Sequence, residues 1–187
     1  DSYSEHESGF NSQIKGFQSK QEAQNAAPLG ELKLSLMFVK SLQQLRLTII
    51  KAENLMKYGK DIDCNSYIKV YLELAGGGKA SSRSQTEVIR GNKNPVYNRL
   101  IILKDIAVED LKNKSLRLRV CNKVGSGMSI MNRQNLTIGE VILRLNDLNL
   151  QLEEEVRLWR DLEISSENTQ VRRGLYTPPA VAYDCPY

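Results

Sequence analysis

His6 is the only histidine in this chain of 187 residues, and its thiols are Cys64, Cys121 and Cys185. A catalytic nucleophile needs a base beside it, and a protein-held zinc needs several His or Cys ligands at workable spacing. Neither arrangement can be drawn. His6 lies in a stretch rich in Ser, Gln and Asn, and no cysteine pair forms C-x-x-C. Gly76-Gly77-Gly78-Lys79 has the look of a phosphate loop, but it lacks the G-x-x-x-x-G-K-[ST] spacing. Ala80 stands where the magnesium-binding hydroxyl belongs, so the segment reads as a hairpin turn. The chain is therefore expected to be no enzyme, with no catalytic residue, no metal site and no cofactor.

Charge offers more. Residues 1–30 carry four acidic against two basic side chains, and residues 163–187 carry three against two. The net charge of +4 thus leaves +7 on the middle of the chain. A basic core between mildly acidic tails points to an anionic partner. Lys112, Lys114, Arg117, Arg119 and Lys123 cluster in sequence, and Arg117 and Arg119 share one side of a predicted strand. This patch is expected to meet an acidic protein surface. A second feature is apolar: Met128, Ile130 and Met131 sit at the tip of a predicted loop, where such side chains can enter a lipid headgroup boundary. Nucleic acid is not expected, because no RNP-type motif accompanies the aromatics. No small-molecule substrate is expected either.

The elements that must position these residues read as strands. Period-two alternation runs through Glu31–Val39, Leu45–Lys51, Tyr67–Leu72, Arg83–Ile89, Val96–Leu103, Ser115–Cys121, Leu136–Leu143 and Glu155–Leu162. Ile68, Val70 and Leu72 face inward, with Tyr67, Lys69 and Tyr71 outward. Ser84, Thr86 and Val88 are placed inward, against Arg83, Gln85 and Glu87. Short helical turns fit Val108–Asn113 and Leu145–Leu150. Eight antiparallel strands in about 130 residues predict an all-β sandwich or barrel. Residues 1–29 read as a flexible linker, 30–164 as the domain and 165–187 as a flexible tail. The first residues show no signal peptide, no run reaches the roughly 18–20 apolar residues of a membrane span, and the cysteine count is odd. A reducing, cytoplasmic setting is expected.

Leu45-Arg46-Leu47-Thr48-Ile49-Ile50-Lys51-Ala52-Glu53-Asn54-Leu55 is similar to the second strand of the synaptotagmin- and rabphilin-like C2 domains. Ser66-Tyr67-Ile68-Lys69-Val70-Tyr71-Leu72 stands where they have D-P-Y-V-K-V-Y-L, and Asn92-Lys93-Asn94-Pro95-Val96-Tyr97-Asn98 resembles their T-x-N-P-x-[FWY]-N turn. Gly30–Leu36, Ile138-Gly139-Glu140-Val141 and Leu158-Trp159-Arg160-Asp161-Leu162 match three further stretches in register. The resemblance covers roughly Gly30 to Leu162. It implies an eight-stranded antiparallel β-sandwich of synaptotagmin-like topology, with the binding loops together at one end.

The resemblance also implies what is missing. Calcium-dependent members supply about five Asp side chains from two apical loops, because Ca²⁺ takes several hard oxygen ligands. Here Gly59 and Asn65 occupy the first loop's two Asp positions, and Ser66 replaces the usual Pro. Asp61 and Asp63 lie between them. Asn122 and Val124 occupy the third loop's first two acidic positions, and Leu111 through Gly139 contains no Asp or Glu. Calcium binding is not expected. Phosphoinositide-binding relatives cluster lysines on the third and fourth strands. Tyr67 and Lys69 fit that pattern, and Arg83, Arg90 and Lys93 add charge. Gln85 and Glu87, however, replace two characteristic lysines. The implied role is calcium-independent targeting or adaptor work in membrane traffic or exocytosis. The implied partners are an acidic phospholipid surface, weakly, or a trafficking protein such as a SNARE-type helix bundle. The alternatives are a protein-binding scaffold without lipid contact and a regulatory domain of a larger enzyme.

Overall fold

Leu32, Leu34, Leu36 and Phe38 alternate along one strand, and Leu116, Leu118 and Val120 along another. All are almost fully buried. Side chains two residues apart on a strand share a face, so each row closes one side of a core. The computed structural model describes residues 29–57, 63–123 and 136–165. Its strands are β1 (Glu31–Val39), β2 (Gln44–Glu53), β3 (Ser66–Leu74), β4 (Ser82–Gln85), β5 (Val96–Leu103), β6 (Lys114–Asn122), β7 (Leu136–Arg144) and β8 (Val156–Asp161). They form two four-stranded sheets, β5-β2-β1-β8 and β4-β3-β6-β7, with antiparallel neighbours throughout. The apolar rows of both sheets meet between them, making an all-β sandwich.

The helical turns are short. α1 (Asp110–Asn113) lies inside the predicted Val108–Asn113, and 3₁₀ turns cover Leu145–Leu148 and Leu150–Leu152. A third 3₁₀ turn at Lys40–Leu42 links β1 to β2 and carries no sequence signal of its own.

One strand is shorter than its alternation predicts. β4 stops at Gln85 instead of running to Ile89. The Thr86 hydroxyl accepts the Ile68 N–H at 2.9 Å, replacing the backbone carbonyl that would continue the ladder. Its backbone N–H still reaches the Ile68 carbonyl at 2.9 Å, and pairing resumes only as an isolated bridge between Ile89 and Ser66.

The folded unit extends a residue past each predicted boundary. Leu29, placed in the linker, is buried in the core, and Ser165, placed in the tail, is 1% exposed. The rest of both segments lies outside the described residues. After β8 the chain crosses to β7, where Glu140 and Glu163 exchange backbone hydrogen bonds of 2.9 Å each way. Gly139 permits this crossing, because a Cβ there would come within 2.9 Å of the Glu163 carbonyl oxygen.

Candidate functional site

Two places carry the chemistry expected from the sequence: the loop end of the sandwich and the outer face of the β4-β3-β6-β7 sheet.

At the loop end the β2–β3, β4–β5 and β6–β7 connections are laced together by amides. The Asn122 side-chain oxygen accepts the Asn65 N–H at 2.7 Å, and its NH₂ group donates to the Asp63 carbonyl at 3.1 Å. The Asn65 side-chain oxygen accepts the Gly91 N–H at 3.1 Å. Asn122 is 2% exposed. Ser66, which replaces a proline, gives its N–H to the Ile89 carbonyl at 2.9 Å, and its hydroxyl bonds the Tyr97 hydroxyl at 2.7 Å. A proline would have no N–H to give. Burial pushes the Tyr97 hydroxyl well above the usual tyrosine value.

The described donors at this end do not fit a calcium ion. A hard cation favours free carboxylates, whereas the oxygens of Asn65 and Asn122 are neutral and already accept backbone N–H groups. Among the described residues no three His, Cys, Asp or Glu side chains gather around a common point. Gly59, Asp61, Val124 and the apolar tip Met128, Ile130 and Met131 lie outside the described residues. Arg90 and Lys93 are exposed on the β4–β5 connection at this same end, and the Lys93 carbonyl accepts the Leu55 N–H at 3.0 Å.

On the sheet face, Tyr71 of β3 stands directly between Arg83 of β4 and Arg117 of β6. The Arg83 and Arg119 guanidinium carbons lie 5.9 and 5.7 Å from its ring centre, within cation–π range. Lys69, one step along β3, pairs with Arg119 in register. Lys79 completes a groove of about 420 Å³ with Tyr71, Arg83, Arg117 and Arg119. Lys69 and Arg83 from one sequence patch and Arg117 and Arg119 from the other therefore share one surface, because the strand order seats β4 and β6 on either side of β3.

Two buried carboxylates temper this surface. Arg117 gives Nε and Nη2 to Glu73 at 2.9 and 2.8 Å and Nη1 to Glu140 at 3.2 Å. Arg119 reaches Glu140 at 3.4 Å, and the Ser165 hydroxyl donates to the same carboxylate at 2.9 Å. Glu73 is 8% exposed and Glu140 4%. The hydrogen bond to Glu73 is the leading cause that raises the Arg117 value further, so its charge is permanent. Arg83 and Lys79, by contrast, make no ion pair among the described residues and are exposed.

Tyr67 departs from its expected role. It lies on the outer side of β3, yet it is only 5% exposed, with Lys69 Nζ 5.9 Å from its ring centre. Burial raises its hydroxyl far above the ordinary value, so it supports Lys69 and offers little contact surface. Lys114 is held by Asp110 at 3.1 Å. Lys79 is a groove residue that its sequence context assigns only to a hairpin turn. Its one signal is its place between two outward-facing basic strands.

The chain matches the family model described as "C2 domain" over residues 43–162. It is 32% identical over 124 residues to the human phosphatidylinositol 4-phosphate 3-kinase C2 domain-containing subunit beta, an alignment covering 66% of this chain and 7% of that protein. It is 31% identical over 102 residues to mouse synaptotagmin-12, covering 54% of this chain and 24% of that one. The fold is similar to the crystal structure of a RIM C2 domain from Drosophila, with a TM-score of 0.59 at 24% identity over 72% of this chain and 98% of that one. The alternation, the strand order and the family match agree: this chain belongs to the C2 domain family.

Proposed function

We propose that this C2 domain is a calcium-independent targeting module of membrane traffic or exocytosis that docks on acidic phospholipid surfaces from the cytoplasmic side. The observation that carries the reading is the groove in which Lys79, Arg83 and Arg119 converge around Tyr71. Lys69 extends it, and Arg117 forms its floor with Glu73. Arg90 and Lys93 add charge toward the loop end, where Met128, Ile130 and Met131 would enter the headgroup boundary. Each basic residue beside an anionic leaflet contributes roughly 1 kcal/mol. Lys79 and Arg83, which make no ion pair among the described residues, therefore give weak, salt-sensitive attachment. What supports calcium independence is that the loop-end amides of Asn65 and Asn122 are occupied by hydrogen bonds to neighbouring loops.

Sedimentation with phosphatidylcholine vesicles, with and without phosphatidylserine, tests the proposal in the presence of EGTA. Salt-sensitive pelleting only with the acidic lipid is expected, weakened severalfold in Arg83→Gln and Lys79→Gln. A second reading has its own support. The buried carboxylates Glu73 and Glu140 inside the basic face suit a partner with mixed charge better than a uniformly anionic one. Absence of pelleting at any lipid composition selects this protein-binding scaffold, a trafficking or SNARE-type protein being the partner. No helix among the described residues is long and apolar enough to cross a membrane. A place within a larger enzyme is compatible with either reading, since the kinase subunit extends far beyond the matched region.

A further inference from the structure

The outer face of the other sheet carries four exposed large apolar side chains that the groove does not explain. Val96, Leu100, Ile102 and Trp159 are 55%, 49%, 44% and 38% exposed. The register places them in rows across the sheet. Val96 pairs with Lys51, Lys51 with Lys33, and Lys33 with Trp159. One row further in, Leu100 pairs with Thr48, Thr48 with Ser35, and Ser35 with Arg157. In the next, Ile102 pairs with Arg46 and Arg46 with Met37. Directly opposed residues of neighbouring strands point to the same face, so these side chains make one surface four strands wide.

Its charges are arranged. Lys33 and Lys51 both lie over the Trp159 ring, with Nζ 5.5 and 5.3 Å from its centre. Lys51 is paired with Glu53, whereas Lys33 has no carboxylate partner among the described residues. Arg46 is the more telling group. Its Nε is buried without a hydrogen-bond partner, and its Nη2 reaches only the Gln44 side chain at 3.5 Å. The half-buried Arg46 guanidinium thus carries its charge with no carboxylate partner among the described residues, so an incoming carboxylate would pair with its outer nitrogens. At the loop end of the same face, Glu31 stands in register with Glu53 on one side and Asp161 on the other, forming an acidic row.

We infer that this face docks an acidic amphipathic helix of a partner protein. Its apolar stripe covers Leu100, Ile102 and Trp159, and its carboxylates meet Arg46 and Lys33. Charge complementarity selects the occupant. Cations without carboxylate partners among apolar side chains call for acidic residues beside an apolar stripe. The acidic row at one end opposes an anionic lipid leaflet, which would approach the whole face with one sign of charge. The dimensions agree. Val96 to Ile102 spans about 20 Å at ~3.4 Å per residue, the length of a helix of about 13 residues at ~1.5 Å each. This surface lies on the opposite sheet from the groove, so its test stands apart from that of lipid docking.

Trp159 is the only tryptophan of the chain, and its fluorescence reports this face alone. The full chain is titrated with a synthetic helical peptide of about four turns that carries leucines on one side flanked by glutamates. A saturable shift of Trp159 emission is expected. It weakens about tenfold or more in Arg46→Gln and in Ile102→Ser, and stays unchanged in Arg144→Gln, which removes the same charge from an exposed position on β7 of the other sheet. Leu100→Ser serves as a second face variant, and circular dichroism verifies that each remains folded. The inference is overturned if no shift occurs, or if a peptide with lysines in place of glutamates binds equally well. It is also overturned if only phosphatidylserine vesicles shift the emission, or if emission shifts with protein concentration alone, which would assign the face to a second copy of the chain.

Discussion

Asn65 gives its backbone N–H to the side-chain oxygen of Asn122 at 2.7 Å, joining the loop before β3 to the end of β6 through a neutral amide. The same Asn122 amide donates to the Asp63 carbonyl. The amide accepts through its oxygen and donates through its nitrogen. A carboxylate would retain the first bond and set a negative oxygen against the carbonyl in place of the second.

Asn122→Asp therefore destabilises the domain by about 1–3 kcal/mol, the cost of a buried polar group left unsatisfied. The shift of the urea midpoint measures it. Calcium does not restore the loss, because one added carboxylate does not gather a hard-ion ligand set. Recovery of the midpoint in calcium would contradict this account of the loop end.

Glu140 holds two arginines and Ser165 at once. Removing one partner of a buried ion network leaves the others uncompensated, which costs about 3–5 kcal/mol. Glu140→Ala is expected at the lower end of that range, since Arg117 and Arg119 keep side-chain exposures of 18% and 14%. Chemical denaturation of the variant provides the measurement. A change within a few tenths of a kcal/mol would mean that the network does not hold the sheet face together.

Asp110 supplies a pH dependence. Partial burial opposes its ionisation, but the Ala107 N–H at 2.9 Å and Lys114 at 3.1 Å outweigh burial and hold its carboxyl below the usual range. Protonation accordingly favours the unfolded chain. The stabilisation is complete above the ordinary Asp value of about 4 and is lost as the pH falls through the lower folded value. Asp110→Asn should make the acid limb of the stability curve shallower without altering its neutral plateau by more than about 1 kcal/mol. An unchanged acid limb would remove Asp110 from the explanation.

Cys64 and Cys121 are 2% and 1% exposed, and burial, the leading cause in each, raises both thiols above the usual cysteine value. The thiolate is the reactive form. In a Cys185→Ser background, a disulfide reagent at neutral pH should label neither thiol until the domain is unfolded. Rapid native-state labelling of either one would show that its surroundings open far more readily than the packing indicates.

The fold was legible because both sheets bury only one side. Alternation in β3 and β6 gave the faces correctly, and strands such as β6 gained only a residue at each end. The end of β4 was not legible, since nothing in the order of residues says that the Thr86 side chain will take a backbone position in the ladder. Within the candidate site, Lys69, Arg83, Arg117 and Arg119 were visible as basic, outward residues. Their union into one surface was not, because it depends on β4 and β6 flanking β3. Glu73 and Glu140 were equally obscure. Each sits in an ordinary strand pattern, and its role comes from an arginine 44 or 23 residues away. Tyr67 was outward by alternation, and its burial was set by neighbouring side chains that periodicity does not count.

Calorimetric titration of calcium into the domain, free and mixed with phosphatidylserine vesicles, tests the central claim most directly. The arrangement of Asn65 and Asn122 predicts no saturable heat from calcium and the same vesicle affinity with the ion or with EGTA. A saturable micromolar calcium site, or vesicle binding that appears only when the ion is added, would contradict it.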